Sequence, residues 1–272
     1  MSDKVIFNGE LCAGSNAKLA ALSSGCLYGR SVFTTIRINS GRPVLPVEHL
    51  TRLRAHADVI GLEFRATNDE LSLSLNQVLA ANRIVDGLAR ITVFDEAAGP
   101  FWPSGSDAKA SFLITVRAKE FSAAPLRLCF SPFPVNSRSV LAGIKSGNYL
   151  EQTIALENAR SAGFDEAARL NERGEVVSAV LANIFWVKDN RLYTPALETG
   201  CLSGITRSAA LTAAEKLGLS VQLTVSGRDA LISADEIFIT SAGQGLRPAF
   251  FDGKQPAGMP FFDSIKTSID LS

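Results

Sequence analysis

The sequence predicts an α+β protein of two lobes joined by a short linker. Three observations carry this. The 272 residues are enough for two modest domains. Hydrophobic residues make up 46% and charged residues 20%, which supplies substantial cores and argues against disorder. Strand and helix periodicities alternate along the chain, stop at a charged then Ser-Ala-Ala-Pro stretch at 118–125, and resume. The lobes therefore fall at 1–117 and 126–272, and an interdomain cleft is the natural place for a ligand.

In the first lobe, residues 5–8 read as a strand leading to a turn. Residues 32–39 form a second strand, followed by the Ser40-Gly41 turn and a short return through Pro43-Val44-Leu45. Pro46 opens a helix whose Leu50, Leu53, Ala57 and Ile60 share one face, and Gly61 ends it. A helix over 68–82 presents Leu71, Leu75, Val78 and Leu79. Strands at 89–94 and 110–117 flank a Gly-, Pro- and Ser-rich loop, 96–107.

The second lobe opens with a strand at 126–130. A helix over 150–162 ends at Gly163, and strands follow at 166–171 and 182–188. Asp189-Asn190 turns the chain into a hairpin with 191–194. Ser203-Gly204-Ile205-Thr206-Arg207 starts a helix running to about Leu217, with Ser203 expected as its cap. The last clear strand is 236–240, followed by the small-residue turn Ser241-Ala242-Gly243.

Bulk chemistry excludes several classes. Lys+Arg and Asp+Glu both number 27, so zero net charge offers no electrostatic case for nucleic acid or an anionic membrane and removes a barrier to self-association. No uninterrupted apolar segment is long enough to span a bilayer, and the N-terminus does not read as a signal peptide. Cys12, Cys26, Cys129 and Cys201 are scattered without metal spacing and read as reduced thiols of a cytoplasmic protein. His49 and His56 are two helical turns apart, too far for a His-x-x-x-His metal pair, so no metal is expected.

Lys145 is the strongest chemical candidate. It lies in Gly143-Ile144-Lys145-Ser146-Gly147-Asn148-Tyr149, among small and apolar residues that solvate an ammonium poorly. Poor solvation enlarges the share of free amine, which a Schiff-base nucleophile requires. The helix start at Gly204 offers unpaired N–H groups to an anion, although an ordinary N-cap reads the same way. Ser241-Ala242-Gly243 is a second such turn. Arg52 projects from an amphipathic helix, as a solvated surface arginine also would. Neither a P-loop nor a Gly-x-Gly-x-x-Gly turn is present, which disfavours nucleotide folds.

Six stretches in order resemble the class IV aminotransferases, the fold-type IV pyridoxal-phosphate enzymes. They are Tyr28-Gly29-Arg30-Ser31-Val32-Phe33, His49-Leu50-Thr51-Arg52-Leu53, Lys145 with Asn148-Tyr149-Leu150, Asn183-Ile184-Phe185, Gly204-Ile205-Thr206-Arg207, and Asp235-Glu236-Ile237-Phe238 with Pro248. The resemblance implies a small N-terminal α/β lobe and a larger C-terminal lobe with a β-barrel-like core. It implies pyridoxal 5'-phosphate in the cleft, a small amino substrate and a homodimer. Lys145 would hold the cofactor as a Schiff base. Arg52, Ile205 and Thr206 would hold its phosphate, with Ser241 and Ala242 where the family adds another phosphate contact.

One departure bears on mechanism. The family's glutamate, five residues before the Asn of Asn-Ile-Phe, pairs with the protonated ring nitrogen; here Ser178 stands there. Glu175 is out of register by three, and strand parity turns it to the other face. A hydroxyl supplies no compensating charge, so the ring becomes a weaker electron sink. Ser23-Ser24 likewise replaces an Asp-Arg pair that the family often carries.

Phe33-Thr34-Thr35 resembles the 4-amino-4-deoxychorismate lyases, as does Gly245-Leu246-Arg247-Pro248. Strand alternation puts Phe33, Thr35 and Arg37 on one face, where hydroxyl and guanidinium meet a carboxylated substrate. Arg90 stands where branched-chain aminotransferases carry an arginine, with an ion pair to Asp95 or Glu96 as its structural alternative. The expectation is a lyase in folate biosynthesis releasing 4-aminobenzoate and pyruvate. A small-amino-acid transaminase and a cofactor-binding pseudoenzyme are the alternatives.

Overall fold

The computed structural model describes residues 3–97, 108–251 and 258–269; most of the loop expected at 96–107 lies outside them. The chain forms two compact units. The first comprises Met1–Glu120 and Ile144–Asn148, the second Phe121–Gly143 and Tyr149–Leu271. Thus the segment bearing Lys145 belongs to the first unit, although it follows 23 residues of the second in sequence.

The first unit contains β1 (Lys4–Phe7), β2 (Glu10–Ala13), α1 (Ser24–Leu27), β3 (Ser31–Asn39), β4 (Arg42–Pro43), α2 (Pro46–Val59), α3 (Asn68–Ala81), β5 (Gly87–Asp95) and β6 (Ala110–Ala118). The six strands form one antiparallel sheet in the order β2-β1-β6-β5-β3-β4. Alternation decides its faces. Val32, Ile36 and Ile38 of β3 and Ala89, Ile91 and Val93 of β5 pack against Leu50, Leu53 and Ala57 of α2 and Leu71, Leu75 and Val78 of α3. Phe33, Thr35, Arg37, Arg90 and Thr92 carry the opposite parity. Thr67 and Glu70 close a capping box at the start of α3. The fully buried Asp95 pairs with Arg30 at 3.1 Å and accepts from the N–H groups of Ala97 and Lys109.

The second unit contains β7 (Leu126–Phe130), α4 (Leu150–Ser161), β8 (Glu166–Leu170), β9 (Val176–Ala179), β10 (Asn183–Lys188), β11 (Arg191–Pro195), α5 (Ile205–Lys216), β12 (Val221–Thr224), α6 (Arg228–Ile232), β13 (Glu236–Ser241), β14 (Gly245–Phe251) and α7 (Pro260–Ser268). Its mixed sheet runs β12-β11-β10-β13-β14-β7-β8-β9. The last strand, β9, also contacts β10 and β11, so the sheet curls back on itself. Leu128, Ala168, Val176, Ile184, Trp186 and Ile239 share one core. Phe185 and Phe238 stack at 5.0 Å in another, against α5 and α7. The expected β10–β11 hairpin turns through Asp189 and Asn190, both in the left-handed region (φ 49° and 56°), the backbone of a primed turn.

Candidate active site

Lys145 is built into the first unit through main-chain bonds to β3. Phe33 N–H donates to the Lys145 carbonyl at 2.9 Å, and Gly147 N–H donates to the Ser31 carbonyl at 2.7 Å. Val32 and Ser146 form an antiparallel bridge between these bonds. A Cβ on Gly147 would strike the Ser31 hydroxyl, so glycine permits this close approach. The Lys145 N–H donates to Nδ1 of His56 on α2 at 3.0 Å.

Three cations converge here. Lys145 Nζ lies 4.3 Å from the centroid of the Phe33 ring, and the Arg90 guanidinium carbon lies 3.6 Å from it. Burial, with Arg52 and Arg90 nearby, pulls Lys145 down to about 7, so the free amine is abundant near neutral pH. Arg52 donates to the Thr34 hydroxyl at 3.3 Å, and that hydroxyl lies 2.7 Å from Nδ1 of His49. Burial first, then Arg52 and Lys145, lowers His49 to about 3 and His56 to about 4. Both imidazoles are neutral at physiological pH.

Thr35 faces Arg90 directly in the β3–β5 register, and Arg37 stands opposite Leu88. Burial lowers the pKa of Arg37, opposed by Asp86. Asp95 pairs with Arg30, and Glu96 pairs with Lys109 at 3.3 Å. Arg90 bonds the Thr92 hydroxyl at 3.2 Å and covers Phe33.

In the second unit, Ser178 on β9 stands directly across from Arg169 on β8. Arg169 is buried, bonds Glu151 and the carbonyls of Phe133 and Pro134, and its Nε has no partner among the described residues. Glu175 is bound by Arg173 and Asn171, at 2.6 and 2.7 Å, away from Ser178. Ser178 therefore has a cation, rather than a carboxylate, as its cross-strand neighbour.

Helix α5 starts differently from the expectation. Gly204, rather than Ser203, is the N-cap residue, and no side chain caps the helix. A Cβ on Gly204 would collide with Asn183 Oδ1, whose amide donates to the Leu202 carbonyl at 2.7 Å. The first N–H groups, including those of Ile205 and Thr206, therefore have no side-chain acceptor from the cap position. Thr206 is buried; Arg207 is buried and ties α5 to the Pro195 carbonyl at 2.9 Å. Nearby in register, Thr240 pairs with Asn183, and its buried hydroxyl has no partner among the described residues. Ser241 accepts from Gln244 N–H and closes the turn containing Ala242.

His49, His56, Thr34 and Arg169 are not among the residues that sequence reasoning singles out for the site. The spacing 49, 52, 56 places both histidines on the Arg52 face of α2, a signal present in the sequence. The cross-strand position of Arg169 requires the register.

Each unit, taken by itself, offers groups that suit a phosphorylated aldehyde. The first unit offers an amine of near-neutral pKa among cations. The second offers an uncapped helix start behind a glycine that a methyl group would displace. No group of three or more His, Cys, Asp or Glu able to hold a metal occurs among the described residues, and no described helix is long and apolar enough to cross a membrane.

Known proteins resemble this chain in sequence and fold. The chain is 28% identical to an aminodeoxychorismate lyase of Bacillus subtilis over 242 residues, 88% of this chain and 83% of that protein. Its fold matches a branched-chain aminotransferase of Thermoproteus uzoniensis, solved with norvaline, at a TM-score of 0.92 and 28% identity, covering 99% and 94% of the two chains. A branched-chain aminotransferase of T.th., complexed with N-(5'-phosphopyridoxyl)-L-glutamate, matches at 0.89 and 26% identity, covering 98% and 93%. Residues 31–249 match the sequence model of amino-transferase class IV, so this chain belongs to that family and is a pyridoxal-phosphate-dependent enzyme of fold type IV.

Proposed function

We propose that this enzyme is an aminodeoxychorismate lyase, converting 4-amino-4-deoxychorismate to 4-aminobenzoate and pyruvate. The observation that carries the reading is Ser178, whose cross-strand neighbour is Arg169 rather than a carboxylate. Bound pyridoxal phosphate supplies an aldehyde that condenses with amines and a ring that withdraws electrons from the carbon bearing the amino group. A serine hydroxyl would supply no charge to keep the ring nitrogen protonated, so less of that withdrawal would be gained than with a carboxylate. Amino transfer depends heavily on it. Loss of pyruvate from a cyclohexadiene is driven by aromatisation and depends on it less.

In this reading Nζ of Lys145 would hold the cofactor's aldehyde and, once displaced from it by the substrate's amine, would carry a proton to and from the substrate. Its pKa of about 7 matches both directions of transfer near neutral pH. Arg52, the N–H groups of Ile205 and Thr206, and the turn at Ser241 and Ala242 hold the phosphate. Phe33, Thr35, Arg37 and Arg90 line the substrate side and orient its carboxylates. The enzyme works as a homodimer in the cytoplasm.

A small-amino-acid transaminase is the second reading, favoured by the likeness to branched-chain aminotransferases. Product analysis separates them. The lyase reading expects equimolar pyruvate and 4-aminobenzoate, with slow amino transfer from branched-chain donors. Fast amino transfer without 4-aminobenzoate overturns it. Ser178→Glu is expected to raise amino transfer relative to pyruvate release, and an unchanged ratio removes the role given to Ser178.

A further inference from the structure

We infer that His56 is an additional phosphate donor of the cofactor site, acting through its Nε2–H beside Arg52. The inference rests on the roles proposed above for Lys145 and Arg52. A backbone N–H only donates, so the 3.0 Å bond from Lys145 N–H makes Nδ1 of His56 the acceptor. A neutral imidazole with Nδ1 unprotonated carries its hydrogen on Nε2. The tautomer is therefore decided by the main chain of Lys145.

Nε2–H is then left as a donor on the Arg52 face of α2. His56 is four residues after Arg52 on α2, on the same helix face. It is 8% exposed, and no described residue accepts a hydrogen bond from Nε2. Arg52 and Lys145 are the charged groups acting on the ring, and both are cations. A third cation there is disfavoured by those two, so His56 meets an anion as a neutral N–H donor. His56 thus touches two parts of the site: its near nitrogen holds the lysine backbone, and its far nitrogen serves phosphate.

Two variants separate these contacts. In His56→Asn the amide oxygen replaces Nδ1 as acceptor and the far donor is lost. In His56→Gln the amide nitrogen reaches the place of Nε2. Apoenzyme is titrated with pyridoxal 5'-phosphate and with pyridoxal, which lacks the phosphate, following absorbance. The wild type is expected to bind the phosphorylated aldehyde more tightly. His56→Asn should weaken that binding about 10-fold to 100-fold, the range for a hydrogen bond to a charged group. It should leave pyridoxal within about twofold, and His56→Gln should recover part of the loss. Equal weakening for both aldehydes overturns the proposal and leaves His56 as a support for Lys145 alone. Unchanged binding of both in His56→Asn overturns it too. Equal wild-type affinity for the two aldehydes, or no hydride-trapped adduct on Lys145, overturns the underlying reading together with this one.

Discussion

The backbone of Lys145 donates to Nδ1 of His56 at 3.0 Å, tying the candidate nucleophile to helix α2 of the first unit. Lys145 and Arg52 thereby reach one cluster from segments 93 residues apart in the chain. A nucleophile held through its main chain has its position fixed.

Burying Lys145 has a stability signature in the apoenzyme. Its pKa falls from 10.5 to about 7 on folding. Between pH 7 and 10.5 the unfolded chain binds the proton and the folded one does not, so stability from this residue rises with pH in that window. Lys145→Met apoenzyme is expected to be more stable than wild type at pH 7, with the gap closing by about pH 10. Urea midpoints at both values check this; a gap that widens with pH is inconsistent with the shift.

The histidines act at lower pH. His56 is lowered from 6.5 to about 4 and His49 to about 3. Below pH 6.5 the unfolded state takes up protons that the folded state refuses, so stability is lost as pH falls toward 4. Protonating Nδ1 of His56 also removes the acceptor for Lys145 N–H. Urea midpoints are expected to drop between about pH 7 and 4.5, and less steeply in His56→Gln.

Gly204 can be tested by adding one carbon. The new Cβ of Gly204→Ala meets the Asn183 side chain, which must move and release its bond to the Leu202 carbonyl. A loss of about 1–3 kcal/mol is expected from overpacking. Weaker binding of inorganic phosphate to the apoenzyme should accompany it, by phosphorus NMR. A variant with wild-type stability and binding shows that the helix start tolerates the methyl group.

Asp95 and Arg30 form an ion pair that is sensitive to removal of one partner. Asp95 is fully buried and accepts from two backbone N–H groups besides Arg30. Asp95→Ala removes the counter-ion of Arg30 and the acceptor of two backbone N–H groups, and is expected to cost about 3–5 kcal/mol. Chemical denaturation measures it, and a cost below about 1 kcal/mol shows that water replaces the carboxylate.

The elements legible in the sequence are those with strong local chemistry. The faces of α2 and α3 follow from apolar spacing, and the β10–β11 turn follows from Asp189-Asn190. Strands β2, β9, β12 and β14 escape such reading. The first three are four residues long, and β14 carries Arg247 and Pro248 within its run, so local pattern is weak. The cap of α5 lies one residue beyond the expected Ser203 because Ser203 and Gly204 are both good N-cap residues; backbone geometry chooses between them.

Sequence alone determined the family, through six short stretches in order, and the presence of a serine where the family carries an acid. It determined these because they are properties of residue type and spacing. Tertiary structure alone decided that 144–148 joins the first unit, that His56 accepts from Lys145, and that Arg169 stands across from Ser178. Those facts depend on which segments pair at long range, and strand register is set by packing of whole faces rather than by any local signal.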